Sequence, residues 1–597
     1  MRRTLGAFLG INAILIVLIA LAPFQGGTGA SAFGDIAKSL VTRWIPFALT
    51  VATLLAAVLA SGSSEPRRIL VGHFWLYLTV PATTALLYFG DALDSRIIGA
   101  PYTALVVAIA VGGVRAVWRD RVARSDAAIG LLLGAVTLAS AFALLPYDRT
   151  IQLTRSDEPH YLLMMESLVR DHDLDLGNNY DAADYADYYP DRLPDRHVII
   201  SGPRQLPIRD LGLPLIGALP FAIARRTGLL VVMCLVGAAF AWRGYAFLRL
   251  LSFSRHAAIL AASAAALLHP VFTYTTQIYP DLPAALAVLV VAELLARPPT
   301  VARLAAASAI LGALPWLTVR AWFIVVGMGL VVAWIALRPL LNGFTPRRLA
   351  LVAAGGLPFL LLVATLVVVD LVMFGVPVPN AGYYLIQGQQ TVLAFTPQIG
   401  FPGLFLDRTF GLLSHVPLYA LAFFGAVPLF RRARILRSAA IVALFLGWLG
   451  YLVYIGDIAY WWADGSPSSR YQLATIAFPM LALAAGLDRL RGELPGLVVK
   501  GALVWSALAT VIFAWRPNLR YDLAVEVEPS AGPGQIWEFV TATLHADPGL
   551  IFPSLVHNAP LDVALTLAWA VLLAGLVVLG ARRPRGPRAH STPTMTL

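Results

Sequence analysis

Long apolar runs recur along this 597-residue chain, and they restrict what it can fold into more than any other feature. A membrane-spanning helix needs about 20 apolar residues. Charged residues make up 13% of the chain and hydrophobic residues 59%, whereas soluble domains average about 25% charged residues. The sequence therefore predicts an all-α polytopic membrane protein. It excludes a cytosolic enzyme, a DNA-binding protein and a disordered chain. We predict about sixteen transmembrane helices, at 5–23, 44–61, 69–89, 102–118, 127–146, 229–249, 257–277, 282–297, 303–318, 321–338, 350–373, 413–430, 438–455, 471–487, 498–515 and 562–580.

The positively charged residues predict how these helices cross the membrane. Lys38 and Lys500 are the only lysines, so arginine supplies nearly all of the positive charge. Arginine clusters such as Arg67–Arg68, Arg347–Arg348 and residues 431–437 fall on alternate connections. The positive-inside rule makes these connections cytoplasmic, where arginines contact anionic lipid headgroups. We therefore expect a multi-pass protein of the bacterial inner (plasma) membrane with both termini in the cytoplasm.

Two segments allow more than one interpretation. The N-terminus combines Arg2–Arg3, an apolar stretch and Gly-Ala-Ser-Ala at 29–32, which also fits a cleaved signal peptide. Its length favours a retained helix. Residues 211–226 are apolar but short and contain Pro214 and Pro220. We interpret them as a re-entrant or interfacial helix on the outer face, because a full span would place the later arginine clusters outside.

The polar residues gather on the predicted outer side. The loop 147–210 holds 13 of the 33 acidic residues. Asp157, Glu158 and His160 lie together just after a predicted span, and a carboxylate there can accept a proton from a sugar hydroxyl. The alternative for Asp157 is a helix N-cap, with Pro159 in the first turn.

The motifs around Asp157 resemble a known superfamily. Asp157-Glu158-Pro-His160-Tyr161 is followed by Asp173-Leu-Asp175-Leu-Gly-Asn-Asn179-Tyr180 and by Gly212-Leu-Pro214-Leu. This pattern is similar to the GT-C membrane glycosyltransferases, especially the phospholipid-carrier-dependent branch with protein O-mannosyltransferases and the aminoarabinose transferase of lipid A. The resemblance covers residues 127–490 and implies a GT-C-like helical bundle with an extracytoplasmic active site. It implies Asp157 as the catalytic base, with Glu158 as its neighbour.

The same resemblance implies a donor and a reaction. The donor is a sugar on a polyprenyl phosphate, and a hydroxyl of a glycan, lipid or protein attacks its anomeric carbon, with inversion favoured. Cations must then hold the leaving phosphate, a task that suits arginine. The predicted substrate-binding residues, all on the outer face, are His160, Tyr161, Asp281, Arg320, Asp407, Arg408, Arg470 and Tyr471. The alternatives are a snorkelled side chain or an ion pair for each arginine, and a helix N-cap for Asp281.

Three domains are predicted. Residues 1–125 form a four-helix transmembrane extension, residues 126–490 the catalytic core including loop 147–210, and residues 491–597 the last helices, with loop 516–561 and a basic tail. The expected partners are the lipid-linked donor, the acceptor and membrane lipids, with no nucleic acid. No cofactor is assigned; a divalent ion on the acidic residues of the first outer loop is left open, the candidates being Asp157, Glu158, Asp171, Asp173 and Asp175.

Two other functions fit the same sequence. A transporter or flippase of lipid-linked sugars also needs many spans, but it would be expected to carry functional charge in mid-membrane. A non-catalytic scaffold for envelope assembly would use the first four helices for docking.

Overall fold

The computed structural model describes residues 95–118, 125–151, 154–193, 196–387, 396–436, 438–463, 465–490, 493–521, 535–545, 547–556 and 560–582. The predicted spans at 5–23, 44–61 and 69–89 lie outside these residues. The structure is 77% helical. Its helices are α1 Ser95–Trp118, α2 Asp126–Ile151, α3 Glu158–Arg170, α4 Gly177–Asp181, α5 Gly212–Leu250, α6 Arg255–Leu267, α7 Val271–Tyr274, α8 Asp281–Leu295, α9 Val301–Leu317, α10 Trp322–Leu337, α11 Pro346–Phe374, α12 Ala381–Gln387, α13 Pro397–Leu406, α14 Leu412–His415, α15 Ala420–Leu436, α16 Ala439–Asp457, α17 Arg470–Leu473, α18 Ala477–Arg489, α19 Glu493–Trp515, α20 Gln535–Leu544 and α21 Pro560–Ala581.

Seven helices in the described part of the chain are long and apolar enough to cross a membrane, which confirms a helical membrane protein. They are Asp126–Arg149, Gly212–Leu250, Val319–Asn342, Pro346–Phe374, Ala439–Asp457, Gly496–Trp515 and Pro560–Ala581. The number sixteen is not confirmed. Three predicted spans, 257–277, 413–430 and 471–487, are interrupted rather than continuous. Pro270 and Pro417 stand at two of the interruptions, and proline removes a backbone donor and clashes with a continuing helix.

These interruptions lie at the ends of the helices that carry buried polar side chains. His269 follows α6, His415 ends α14 and Arg470 begins α17, and each is at most 3% exposed. Non-helical backbone is tolerated within membrane proteins where it is buried in protein or lines a cavity. The broken ends therefore supply a polar interior that continuous apolar helices would not.

The segment predicted to be a separate helix at 211–226 corresponds to the start of α5. The backbone leaves helical geometry at Ala224 and Arg225, so residues 212–223 precede a break. In this part Leu215, Leu219 and Ile223 are exposed, whereas Phe221 is buried. Apolar side chains four positions apart share one helix face. This face is suited to lie against lipid.

A small antiparallel sheet organises the end of the loop 147–210. Strands β1 (Val198–Ser201) and β2 (Arg204–Pro207) pair with Val198 opposite Pro207. The Ile208 N–H donates to the His197 carbonyl at 3.1 Å, which extends the pairing by one residue. His197 and Arg209 are therefore brought to the same end of the ribbon.

Candidate active site

Asp157 lies at the start of α3, but its side chain does not cap this helix. Its carboxylate instead forms ion pairs with two arginines that are remote in sequence. Arg470 Nη2 lies 2.8 Å from Asp157 Oδ2, and Arg209 Nη2 pairs with the other carboxylate oxygen. The side chain of Asp157 is 7% exposed. The N-cap alternative therefore does not describe what this carboxylate contacts.

Arg470 joins Asp157 to a second buried carboxylate. Its Nε atom donates to Asp281 Oδ2 at 3.1 Å, while the other oxygen of Asp281 lies 3.7 Å from Arg320 Nη2. Asp281 is the first residue of α8, and Arg320 lies in the short turn between α9 and α10. These five residues, Asp157, Arg209, Asp281, Arg320 and Arg470, are called the arginine–carboxylate cluster below.

Aromatic rings lie against the arginines of the cluster. The guanidinium of Arg470 lies 4.3 Å from the ring centroid of Tyr279, and that of Arg320 lies 4.7 Å from the ring centroid of Tyr471. Both distances fit cation–π contacts. Tyr471 thus contacts a cluster arginine through its ring face.

The cluster has three arginines and two carboxylates, hence one positive charge in excess. Burial alone raises the pKa of Asp157, but the charges of Arg209 and Arg470 outweigh it and hold that pKa well below its usual range. The carboxylate is therefore ionised, and one guanidinium charge is left over. Within the described structure, the Nε atom of Arg320 is buried without a hydrogen-bond partner. The excess charge and this free donor suit an anionic ligand.

Two histidines stack beside Asp157. The rings of His160 and His197 have centroids 3.6 Å apart, and His160 Nδ1 lies 2.7 Å from the Tyr180 hydroxyl. Burial and the charge of Arg209 lower the pKa of His197 to about 3, and burial also lowers the pKa of His160 well below its usual value. Both rings are therefore neutral near pH 7 and can donate or accept hydrogen bonds there.

Tyr161 is buried next along α3. It is 2% exposed. Burial, together with the nearby Tyr383 hydroxyl and Asp157 charge, raises the pKa of Tyr161 well above 10. It therefore stays protonated.

Glu158 contacts different elements from Asp157. Glu158 Oε1 accepts from the Ile278 N–H at 2.7 Å, and Oε2 accepts from the Tyr521 hydroxyl at 3.1 Å. Burial raises the pKa of Glu158. These bonds tie the start of α3 to the segment before α8 and to the end of the turn after α19.

The acidic residues at 171, 173 and 175 of the loop 147–210 accept local hydrogen bonds. Asp171 Oδ2 accepts from Asn179 Nδ2 at 2.6 Å, Asp173 Oδ1 accepts from Ser167 Oγ at 2.9 Å, and Asp175 Oδ1 accepts from the Gln205 N–H at 2.9 Å. These are local bonds that shape the loop. Within the described residues, no three His, Cys, Asp or Glu side chains are grouped to hold a metal ion.

Asp407 and Arg408 contact another part of the chain, contrary to the sequence-based expectation for a shared phosphate site. Asp407 accepts from the N–H groups of Phe410 at 2.9 Å and Leu555 at 2.7 Å. Arg408 Nη1 lies 3.6 Å from Asp547 Oδ2. Asp407 therefore accepts backbone hydrogen bonds that stabilise a turn. Arg408 forms an ion pair with Asp547.

Sequence reasoning missed the residues that position Arg209. Its neighbour Asp210 accepts from the Val319 N–H at 2.9 Å and from Asn380 Nδ2 at 2.6 Å. Val319 precedes Arg320, so these bonds fix one cluster arginine relative to another. The position of Arg209-Asp210 directly before the Gly212-Leu-Pro214 motif was the available clue.

Asn380 is the centre of this positioning network. Its N–H donates to Asp370 Oδ2 at 2.7 Å, and its Oδ1 accepts from Trp322 Nε1 at 2.9 Å. Its φ of +61° lies in the left-handed region, which asparagine tolerates better than most residues. The loop after α11 is thereby fastened to both Asp210 and the start of α10.

Comparisons with known proteins give structural neighbours only. No protein-family model matches the chain, and no curated protein sequence matches it. It is similar to two solved structures from Archaeoglobus fulgidus: an oligosaccharyltransferase in the apo form, and the oligosaccharyltransferase AglB in complex with an inhibitory peptide and a dolichol-phosphate. Each is 14% identical at a TM-score of 0.38, and the match covers 70% of this chain but only 60% of the other. Both neighbours are archaeal oligosaccharyltransferases.

Proposed function

We propose that this protein is a membrane glycosyltransferase that moves a sugar from a polyprenyl-phosphate donor to a hydroxyl of a glycan, lipid or protein. The observation that carries the proposal is the contact of Asp157 with both Arg209 and Arg470 inside a buried cluster of net positive charge. The motif resemblance around Asp157 supports the same reaction class. Transfer of a sugar from a lipid phosphate requires a carboxylate to accept the proton and guanidinium groups to bind the phosphate.

The arginines would hold the donor phosphate. Its negative charge grows as the bond to the anomeric carbon breaks, and fixed cations that match this charge lower the barrier. Arginine stays charged and presents paired N–H donors to two phosphate oxygens. Arg209, Arg320 and Arg470 are the groups we assign to this task, and the free Nε of Arg320 is the first available donor.

Asp157 would act as the base only after the donor has bound. In the structure, Arg209 and Arg470 hold its pKa well below the usual range, which makes a weak base. A bound phosphate pairs with the same guanidinium groups, and its negative charge offsets theirs, so the pKa of Asp157 rises. The acceptor O–H proton then passes to Asp157, the acceptor oxygen bonds to the anomeric carbon, and the lipid phosphate leaves with its bonding pair. A single displacement of this kind inverts the anomeric centre.

The site would face the extracytoplasmic side. Asp281 and Arg320 stand at one end of α8 and α10, and Arg297 and Arg338 stand at the other. The arginine-rich connections would be cytoplasmic by the positive-inside rule. We propose on this basis an inner-membrane protein with an outward site, with 126–490 as its catalytic core.

The test is transfer by the full chain in lipid nanodiscs, using a panel of polyprenyl-phosphate sugars. We expect the wild type to release lipid phosphate and Asp157→Asn to lose about 10²-fold or more in rate, the usual contribution of a general base. Asp191→Asn is the matched control, because Asp191 lies exposed on the same loop. Full turnover by Asp157→Asn would overturn the assignment. Movement of intact donor across the bilayer without sugar transfer would favour the flippase.

A further inference from the structure

A recess lies at the ends of α8 and α10 that are opposite to the arginine–carboxylate cluster. Asp281 begins α8, whereas Leu294, Leu295 and Arg297 at its far end line the recess. Fifteen helical residues, the length of α8, rise about 22 Å. The recess is therefore remote from Asp157, and it belongs to the arginine-rich end of the bundle. It is called the arginine groove below.

Apolar side chains form the walls of the arginine groove. Its volume is about 1080 Å³. Leu330 and Trp334 line it from α10 and are 63% and 60% exposed, and Val442 lines it from α16 with 41% exposed. The eight residue steps from Leu330 to Arg338 rise about 12 Å along the chain. The groove thus combines a charged mouth with an apolar wall about two turns long.

Four arginines line the mouth: Arg297, Arg303, Arg338 and Arg434. Two of these arginines already have hydrogen-bond partners. Arg297 donates to Glu293 at 2.8 Å, and Arg303 donates to the Pro298 carbonyl at 2.7 Å. Glu293 is also paired with Arg243. The remaining two guanidinium groups, those of Arg338 and Arg434, have no hydrogen-bond or ion-pair partner within the described residues.

We propose that the arginine groove binds an anionic phospholipid, with its phosphate between Arg338 and Arg434 and an acyl chain along Leu330, Trp334 and Val442. The charge of the mouth excludes a neutral headgroup as the preferred ligand, because only an anion supplies the missing counter-charge. The apolar walls exclude a free phosphate ion, since it would leave them exposed to water. Basic pockets between membrane helices on the cytoplasmic side are suited to anionic headgroups. This inference is independent of the proposed transfer reaction.

Lipid titration of the full chain in detergent, followed by native mass spectrometry, tests the headgroup. Phosphatidylglycerol and phosphatidylcholine with identical acyl chains are compared. We expect the wild type to prefer phosphatidylglycerol by about tenfold, and Arg338→Ala/Arg434→Ala to lose this preference. The matched control is Arg347→Ala/Arg582→Ala, which removes two exposed arginines that do not line the groove. Equal binding of the two lipids by the wild type, or an equal loss in the control, overturns the proposal.

The acyl chain is tested separately through Trp334. Stoichiometric phosphatidylglycerol with brominated chains should quench tryptophan fluorescence more in the wild type than in Trp334→Phe. Addition of 10 mM inorganic phosphate (a concentration of about this size suffices to compete with a simple ion site) should leave the difference unchanged. Equal quenching in the two proteins, or relief of quenching by phosphate, overturns the lipid assignment.

Discussion

Arg470 Nη2 and Asp157 Oδ2 lie 2.8 Å apart, although 313 positions separate the two residues in the chain. Both side chains are nearly inaccessible, at 3% and 7% exposed. Two buried charges of this kind depend on each other, because removal of one leaves the other unpaired in a medium of low dielectric constant. Arg470 also binds Asp281 at 3.1 Å. One guanidinium group therefore links the start of α3, at Asp157, to the start of α8, at Asp281.

Arg470→Lys should therefore be far from conservative. An ammonium group keeps the charge but cannot place Nε against Asp281 and Nη2 against Asp157 together. We expect a loss of about 3 kcal/mol in stability, the low end for a broken buried pair, and at least about tenfold slower transfer. Thermal unfolding in detergent and the transfer assay measure the two effects.

The control for this prediction is Arg196→Lys. Arg196 pairs with Asp181 on the same loop, but the two side chains are 38% and 67% exposed. Exposed pairs contribute about 0–1 kcal/mol, so the unfolding temperature should hardly move. An equal shift in both variants would contradict a special role for the buried pair.

The proposed competition between phosphate and Asp157 predicts different pH profiles for free and donor-bound enzyme. A carboxylate base works when ionised, so activity falls as the pH drops through its pKa. In the free enzyme the arginines hold the pKa of Asp157 well below its usual value, so kcat/KM should show no acid limb above about pH 4. In the donor complex the pKa rises, so kcat should fall at a higher pH than kcat/KM. Coincident acid limbs would argue against the competition.

The sequence predicted which residues gather around Asp157 better than it predicted the contacts among them. Asp281, Arg320 and Arg470 were placed with Asp157 because each lies at the same end of a predicted span. Arg209 was missed because it follows a short β-ribbon, whose register depends on pairings that the apolar pattern does not encode. Arg408 was assigned to the site because it precedes a predicted span at the same end as Asp157. Its pairing with Asp547 was not foreseen, because Asp547 lies 139 positions away and belongs to no recognisable motif.

Some of the membrane spans were also predicted correctly, whereas the interruptions within others were not. The predicted spans 350–373 and 438–455 match α11 and α16 to within a few residues, because each is a single apolar run between polar connections. The interruption between α6 and α7 was missed, because apolar residues continue through Leu268 and Val271 on both sides of it. Hydropathy measures transfer into lipid and does not report whether the backbone stays helical.

Asn380→Gly should impair donor binding although residue 380 touches neither Asp157 nor Arg470. Glycine accepts the φ of +61° without strain, so the change removes only the side-chain bonds to Asp210, Trp322 and the Pro315 carbonyl. Since these bonds relate Arg209 to Arg320, we expect KM for the donor to rise about tenfold with a smaller change in kcat. Steady-state kinetics with a matched Asn342→Gly variant, in an exposed turn at the other end of α10, separate this effect from general loosening. A lower unfolding temperature with unchanged KM would reduce Asn380 to a structural role.

Asp210 should make stability depend on pH in a defined direction. Burial raises the pKa of Asp210 to about 7, although it accepts hydrogen bonds from Val319 and Asn380. An unfolded aspartate has a pKa of about 3.9, so between about pH 4 and 7 the folded protein holds a proton that the unfolded chain has lost. Folding stability from this group is therefore fully present below about pH 4 and is lost as the pH rises toward 7. Asp210→Asn cannot lose this proton, so the variant should gain stability relative to the wild type as the pH rises from 5 to about 7.5. Unfolding temperatures measured across this range, with Asp191→Asn retaining the wild-type trend, check the sign; parallel curves for wild type and Asp210→Asn would show that Asp210 is already ionised.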